Sequence, residues 1–229
     1  MMIARLKNAN KIYETQAGKF TALANCNLEL YEGELLLIIG PSGSGKTTLL
    51  SLLGCLINPT EGTLEIDGKN VDDLPDKEMA KVRLDTIGFV FQQFNLLAPL
   101  TAAENVAFPL KMRNMKTAEI KQKTEEALKK VNISEHKHKL PKQLSGGQQQ
   151  RVAIARALVT DPKIILCDEP TASLDKHSLE IVMKELKELA EGGKAVAVVT
   201  HDPRLMEYAD RVIEVENGIV NEVNKQTIN

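Results

Sequence analysis

One short stretch, "GPSGSGKTT" (Gly40–Thr48), carries the strongest chemical signal in the chain. Gly40, Gly45, Lys46 and Thr47 fit the pattern G-x-x-x-x-G-K-[ST]. Glycines let backbone N–H groups curl around phosphate oxygens. A helix starting there adds partial positive charge at its N-terminus. Lys46 would neutralise the β- and γ-phosphates of a nucleotide, and Thr47 would offer its hydroxyl to Mg2+. The plain alternative is a glycine-rich turn that happens to contain lysine. A buried strand ending at Ile39 and an apolar helix starting near Lys46 argue against it.

A second stretch, "LPKQLSGGQQQRVAIARAL" (Leu140–Leu158), also builds an anion site. Ser145 stands where a helix cap belongs, Gly146 and Gly147 expose backbone amides, and an apolar-faced helix follows. Alone, Ser-Gly-Gly reads more simply as a capped helix start. Beside the first cradle it raises a sharper idea. A second donor set is most useful on the opposite face of a γ-phosphate. If one chain cannot fold both sets onto one nucleotide, a second copy supplies the other, giving a symmetric dimer with two nucleotides in its interface.

Acid chemistry is concentrated in "KIILCDEP", where Asp168 and Glu169 lie just past a buried strand, at the sheet edge where α/β ligands bind. Asp168 could hold Mg2+ through water. Glu169 could take a proton from an attacking water or orient it. By themselves the two acids would be a loop or a helix cap. His201 ends another buried strand, "AVAVVTH". If the two strands are neighbours, its imidazole could donate a hydrogen bond to the γ-phosphate. His136, His138 and His177 read as solvated surface, since no second ligand cluster has metal-binding spacing.

The elements that must position these groups follow from hydrophobic periodicity. Cys26, Leu28 and Leu30 alternate, a Glu32-Gly33 turn follows, and Leu35 to Ile39 reads as a strand covered on both faces. Asp67-Gly68 and Asn217-Gly218 predict tight hairpins. The stretch from Thr117 to Val131 predicts a helix with Ile120, Thr124, Ala127, Leu128 and Val131 on one face. Thr117 can cap it, and Glu119/Lys123, Glu125/Lys129 and Glu126/Lys130 stand at i,i+4. Ser178 to Gly193 predicts another, with Leu179, Val182, Met183, Leu186 and Leu189 inward and Gly192 as its stop. Alternating strand and helix implies a parallel sheet covered on both faces. The central helices form a lobe of one domain.

Composition narrows the function. A formal net charge of -2 and 3% aromatic residues give neither a basic field nor a stacking platform for nucleic acid. Three scattered cysteines, Cys26, Cys55 and Cys167, suggest reduced thiols in the cytosol. The N-terminus lacks a signal-peptide core, and "LLSLLGCLI" is far short of the ~20 residues of a spanning helix. Any membrane role is expected to come through a partner.

Taken in order, Tyr13, the Gly40–Thr47 loop, "FVFQQ" with Gln92, Leu144–Gln148, Asp168–Glu169, Asp175 and His201 resemble the ATP-binding subunit of an ABC transporter over essentially the whole chain. The resemblance implies an α/β fold: a P-loop NTPase (RecA-like) core with an N-terminal antiparallel β subdomain and a helical subdomain near 93–157, all within one domain over 1–229. It implies ATP and Mg2+ as cofactors. Tyr13 resembles the aromatic that stacks on adenine. Gly40, Ser42, Gly43, Ser44, Gly45, Lys46, Thr47 and Thr48 would hold the phosphates. Gln92 resembles the residue that touches Mg2+ and the water, so that Thr47, Gln92 and Asp168 face the metal. Glu169, His201 and Gln92 would be catalytic. Ser145, Gly146, Gly147 and Gln148 resemble the signature that contacts ATP held by the other protomer, and Asp175 the residue tying the two sites together.

The wording of "GPSGSGKTTLLSLLG" and "IGFVFQQFNLLAPLTAAENVAFPL" is similar to the macrolide-efflux and lipoprotein-release type. That implies an ATP-dependent homodimer paired with a separate membrane permease, without nucleic acid. The expected location is cytoplasmic, peripheral on the inner face of the membrane. Three alternatives stay open: a soluble non-transport ABC ATPase, a P-loop kinase or GTPase, and a nucleotide-sensing module without turnover. The first usually shows long coiled-coil insertions or two cassettes, the second lacks an NKxD here, and a phosphate-release assay decides the third.

Overall fold

Runs of leucine, isoleucine and valine set the strands, because branched side chains pack well on a pleated surface. The computed structural model describes residues 1–16, 18–171 and 176–223. β1 (Met2–Thr15), β2 (Gly18–Tyr31), β4 (Glu61–Ile66) and β5 (Lys69–Asn70) form an antiparallel sheet in the order β2-β1-β4-β5. β3 (Leu35–Ile39), β6 (Ile87–Val90), β7 (Ile164–Asp168), β8 (Ala195–Val199), β9 (Arg211–Glu216) and β10 (Ile219–Val223) form the second sheet, ordered β10-β9-β3-β8-β7-β6. Strands β9, β3, β8, β7 and β6 run parallel, and β10 pairs antiparallel at the edge.

The helices are α1 (Lys46–Leu53), α2 (Asp76–Thr86), α3 (Ala102–Met112), α4 (Thr117–Lys130), α5 (Gly146–Leu158) and α6 (Lys176–Glu191). β3 shows how they are layered, since alternate side chains of a strand face opposite ways. Leu36 and Ile38 join a core with α1 and the antiparallel sheet. Leu35, Leu37 and Ile39 join a second core with α3, α4, α5 and α6. The parallel sheet is therefore covered on both faces, as its apolar strands predict. Burying each such side chain contributes roughly 1.5–3 kcal/mol.

Local expectations mostly hold. Asp67 and Gly68 have φ of 52° and 73°, and Asn217 and Gly218 of 49° and 79°, as tight primed turns require. α6 ends at Glu191, before the expected stop at Gly192. Two expectations fail. Thr117 is the first helical residue of α4, not its cap; Lys116 holds the cap position and makes no side-chain capping bond. The i,i+4 lysines also do not pair with their acids: Glu125 lies 3.7 Å from Lys137, and Glu126 accepts from Gln122 at 2.9 Å. Exposed i,i+4 ion pairs are worth only ~0.3–0.5 kcal/mol, so another neighbour easily replaces them.

Candidate active site

Strand register gathers the candidate residues along one edge. Ile38 of β3 pairs with Val199 of β8, Val199 with Asp168 of β7, and Cys167 of β7 with Val90 of β6. Gly40, His201, Glu169 and Gln92 follow within two residues of those positions. The condition placed on His201, that its strand neighbour β7, is met.

The Gly40–Thr48 loop joins β3 to α1 as expected. Gly45 is the N-cap of α1 with φ 112° and no side-chain cap. A β-carbon there would lie 2.5 Å from the Ala22 carbonyl oxygen, and one on Gly40, at φ 142°, would lie 2.1 Å from that of Val215. Only glycine lets β2 and β9 approach the loop this closely. The Ser44 carbonyl accepts from the Gly218 N–H at 3.0 Å, so the β9–β10 turn braces the loop. Lys46 is buried, and its ammonium donates to the carbonyls of Gly40 and Pro41, both at 2.8 Å. Ser42, Gly43 and Thr47 are exposed and Thr48 is half-buried. Among the described residues, the buried Ser44 hydroxyl has no hydrogen-bond partner.

Asp168 ends β7, half-buried. Burial, chiefly, and the Glu169 charge push its carboxyl up from the usual range; Lys46 opposes them. Glu169 has φ 49°, and its N–H donates to the Val199 carbonyl at 3.0 Å. A left-handed non-glycine residue costs roughly 1–2 kcal/mol, so this strain is held by its surroundings. Its side chain is 13% exposed, and Oε1 lies 2.8 Å from Nδ1 of the exposed His201. A carboxylate can only accept in this contact, which then takes its proton from Nδ1. Nε2 then donates to a phosphate only when the ring holds both protons. In this conformation His201 contacts Glu169, whereas the sequence directs it to a γ-phosphate.

Gln92 is exposed in the turn after β6. Phe94 and Asn95 follow with φ of 59° and 48°, and their carbonyls accept from Arg156 of α5 at 2.8 and 2.6 Å. Ser145 caps α5 through a reciprocal pair. Its hydroxyl accepts from the Gln148 N–H at 3.3 Å, and Gln148 Oε1 accepts from the Ser145 N–H at 3.0 Å. Ser145, Gly146 and Gly147 are exposed. This second cradle begins α5 while the first begins α1, and the two helices pack on opposite faces of the sheet. Tyr13 is 37% exposed on β1, with the Lys11 ammonium 5.3 Å from its ring centre. Asp175 lies outside the described residues.

Two polar side chains escaped the sequence reading. Gln150 is buried, and its Nε2 donates to the Pro170 carbonyl at 2.6 Å. Arg156 pins the Gln92 turn. The signal for Gln150 was available: with Ala153, Ile154 and Ala157 it falls at i, i+3, i+4 and i+7, on the buried stripe of α5.

Residues 23–172 match the family model described as ABC transporter. The chain is 50% identical over 227 residues to the ABC transporter ATP-binding protein MJ0796 of Methanocaldococcus jannaschii, with 96% of each chain covered. It is 42% identical over 214 residues to the ABC transporter ATP-binding protein YknY of Bacillus subtilis, with 93% of each covered. It is also 42% identical to the macrolide export ATP-binding/permease protein MacB of Hyphomonas neptunium, of whose length it spans 35%. Its fold is similar to the dimeric MJ0796 cassette in a post-hydrolysis state bound to ADP and Pi: TM-score 0.92, 46% identity, covering 99% of this chain and 100% of that one. A glycine-lysine loop at the end of β3, an acid pair at the end of β7 with β8 between them, and a match across two thirds of the chain agree: the protein belongs to the ABC transporter family and is an ATP-binding, ATP-hydrolysing cassette.

Proposed function

We propose that this ATPase works as a homodimer closing around two ATP molecules and powers a separate membrane permease, in an exporter or an envelope-spanning mechanical system. The observation that carries this reading is the placement of the two cradles on opposite faces of one sheet, one beside Glu169 and one exposed and unfilled by its own chain. The dimeric MJ0796 cassette supports the assembly. The single chain of the macrolide-export relatives, which joins ATP-binding and permease parts, supports the partner.

ATP binding would draw the Lys46 ammonium from the loop carbonyls to the β- and γ-phosphates. It would also give the orphaned Ser44 hydroxyl an acceptor, and such an unpaired group costs roughly 1–3 kcal/mol. Tyr13 would stack on adenine. Asp168 and the exposed hydroxyl of Thr47 fit Mg2+, because burial and the Glu169 charge outweigh Lys46 at the half-buried Asp168 carboxylate and leave room for a cation; Gln92 would complete the set. When bound, Mg2+ neutralises phosphate charge. Glu169 takes the proton of the attacking water, with His201 holding its carboxylate in place. Ser145, Gly146, Gly147 and Gln148 would meet the γ-phosphate of the partner's ATP, and Asp175 would bridge the two sites.

The permease has a place to dock. A groove of about 390 Å³ is lined by Phe89, Phe91, Asn95, Pro109, Met112 and Arg156, next to the Gln92 turn. Leu56, also on its wall, and Phe108 nearby on α3 are exposed. Among the described residues no helix is long and apolar enough to cross a membrane. The proposed site of action, at the cytoplasmic face, follows from the permease partner that the macrolide-export relatives suggest. In this reading the helical lobe near 93–157, built on α3, α4 and α5, supplies one wall of the groove.

Glu169→Gln tests the reading. Turnover should fall roughly 10²–10⁴-fold while ATP binding persists. Steady-state hydrolysis near the wild-type rate removes Glu169 from this role.

A further inference from the structure

Glu169 must point its carboxylate while its backbone sits in a strained conformation, so the bonds that hold that backbone matter. One comes from inside the sheet: the Glu169 N–H donates to Val199 of β8 at 3.0 Å. The other comes from a helix. Gln150, 2% exposed on α5, donates its Nε2–H to the carbonyl of Pro170 at 2.6 Å. Pro170 has no N–H and cannot extend the β7 ladder. Its carbonyl is buried, and an amide left facing it without a bond would cost free energy on both sides. The bond therefore ties the backbone after Glu169 to α5.

α5 also carries Ser145 at its N-terminus and, through Arg156, holds the carbonyls of Phe94 and Asn95 after Gln92. One helix thus touches the exposed cradle, the backbone after Glu169 and the turn after Gln92. We infer that Gln150 is a positioning residue: it ties the aim of Glu169 to the seating of Ser145, so ATP at the partner's site licenses hydrolysis at this chain's own site. This rests on the proposed roles of Glu169 and Ser145. The physical warrant is a rigid element with contacts at both sites, biased by each.

The experiment uses Gln150→Met, which keeps an unbranched apolar chain of similar length but no donor, and Gln150→Glu. For Gln150→Met the expected results are a kcat lower by roughly 10- to 100-fold, as a small misplacement of a catalytic group gives, an unchanged ATP Kd, and a Hill coefficient for ATP hydrolysis reduced to one from a wild-type value above one. In Gln150→Glu the side chain donates only when protonated, so its kcat relative to wild type should rise as pH falls, while that of Gln150→Met stays flat. A purely structural role would lower the melting temperature and leave the Hill coefficient and relative pH profile unmoved; that outcome overturns the inference. So does wild-type kcat with a wild-type Hill coefficient in Gln150→Met, or a wild-type Hill coefficient of one. If Gln150→Met does not fold, the Gln150→Glu profile decides, and a flat one is fatal. Glu169→Gln run alongside separates the two claims. Its normal turnover would sink the reading of Glu169. Its loss of turnover with normal Gln150→Met sinks only this inference.

Discussion

Asp168 is held where burial and the charge of Glu169 both favour the neutral acid, with only Lys46 opposing. Its affinity for a proton is higher in the folded state than in the unfolded chain. Such a group stabilises the fold below its unfolded value, about pH 3.9, and that stability is lost as pH rises through the raised folded value. At neutral pH the ionised carboxylate is therefore a cost, useful only for what it binds. Asp168→Asn should raise the melting temperature of the nucleotide-free protein at pH 7, by roughly 2–4 °C per kcal/mol gained. The difference should vanish near pH 3, and the variant should lose Mg2+-dependent tightening of nucleotide binding. Scanning calorimetry across pH checks the first part; a lower melting temperature at pH 7 would show that Asp168 is paired, not strained. The thiols pose no comparable question: burial pushes Cys26 and Cys55 up to about 12, and both should resist thiol reagents until the protein unfolds. Iodoacetamide labelling followed by mass spectrometry measures it.

The phosphate loop shows what an element costs and what supports it. Its two ends press against β2 and β9, where no β-carbon fits at Gly40 or Gly45. Gly45→Ala would set a side chain 2.5 Å from a backbone oxygen in a left-handed conformation. The start of α1 should shift, with strain on the order of 1–3 kcal/mol and, at 1.4 kcal/mol per tenfold, ATP affinity lower by roughly 10- to 100-fold. Gly146→Ala is the contrast, since a β-carbon there meets nothing within 4 Å and the position is helical. Its melting temperature should hold or rise, because alanine favours helix. Calorimetric ATP binding and thermal melts distinguish the pair, and equal behaviour would refute the steric account. The loop was legible in the sequence because glycine, lysine and threonine occur there at one fixed spacing. So were β3, β7 and β8, whose unbroken apolar runs need two covers. α3 was not read out as a helix of its own, since Pro109 lies inside it; the capping box of Thr101 and Glu104 is the signal that marks its start. The orientation of His201 toward Glu169 could not be read either, because it depends on contact across two strands 32 residues apart.

At the scale of the whole molecule, the sheet separates what the chemistry needs together. α1 and α5 lie on opposite faces, so their N-termini serve one nucleotide only if two chains face each other. In the proposed dimer ATP is the joint between protomers, and it can drive closure only by binding the closed pair more tightly than the open chains. Gly147→Asp tests this without touching the first cradle. A β-carbon at Gly147 meets nothing within 4 Å, so the fold should tolerate the change. The new carboxylate would stand where the reading places the partner's γ-phosphate, and repulsion between anions there is poorly screened once water is excluded. On a Glu169→Gln background, which should hold ATP unhydrolysed, light scattering should show ATP-dependent dimers for Gly147 and monomers for Gly147→Asp, with equal ATP affinity for the monomers. An ATP-dependent dimer in the Gly147→Asp protein would mean that α5 does not face the shared nucleotide, and the two-chain active site would fall with it.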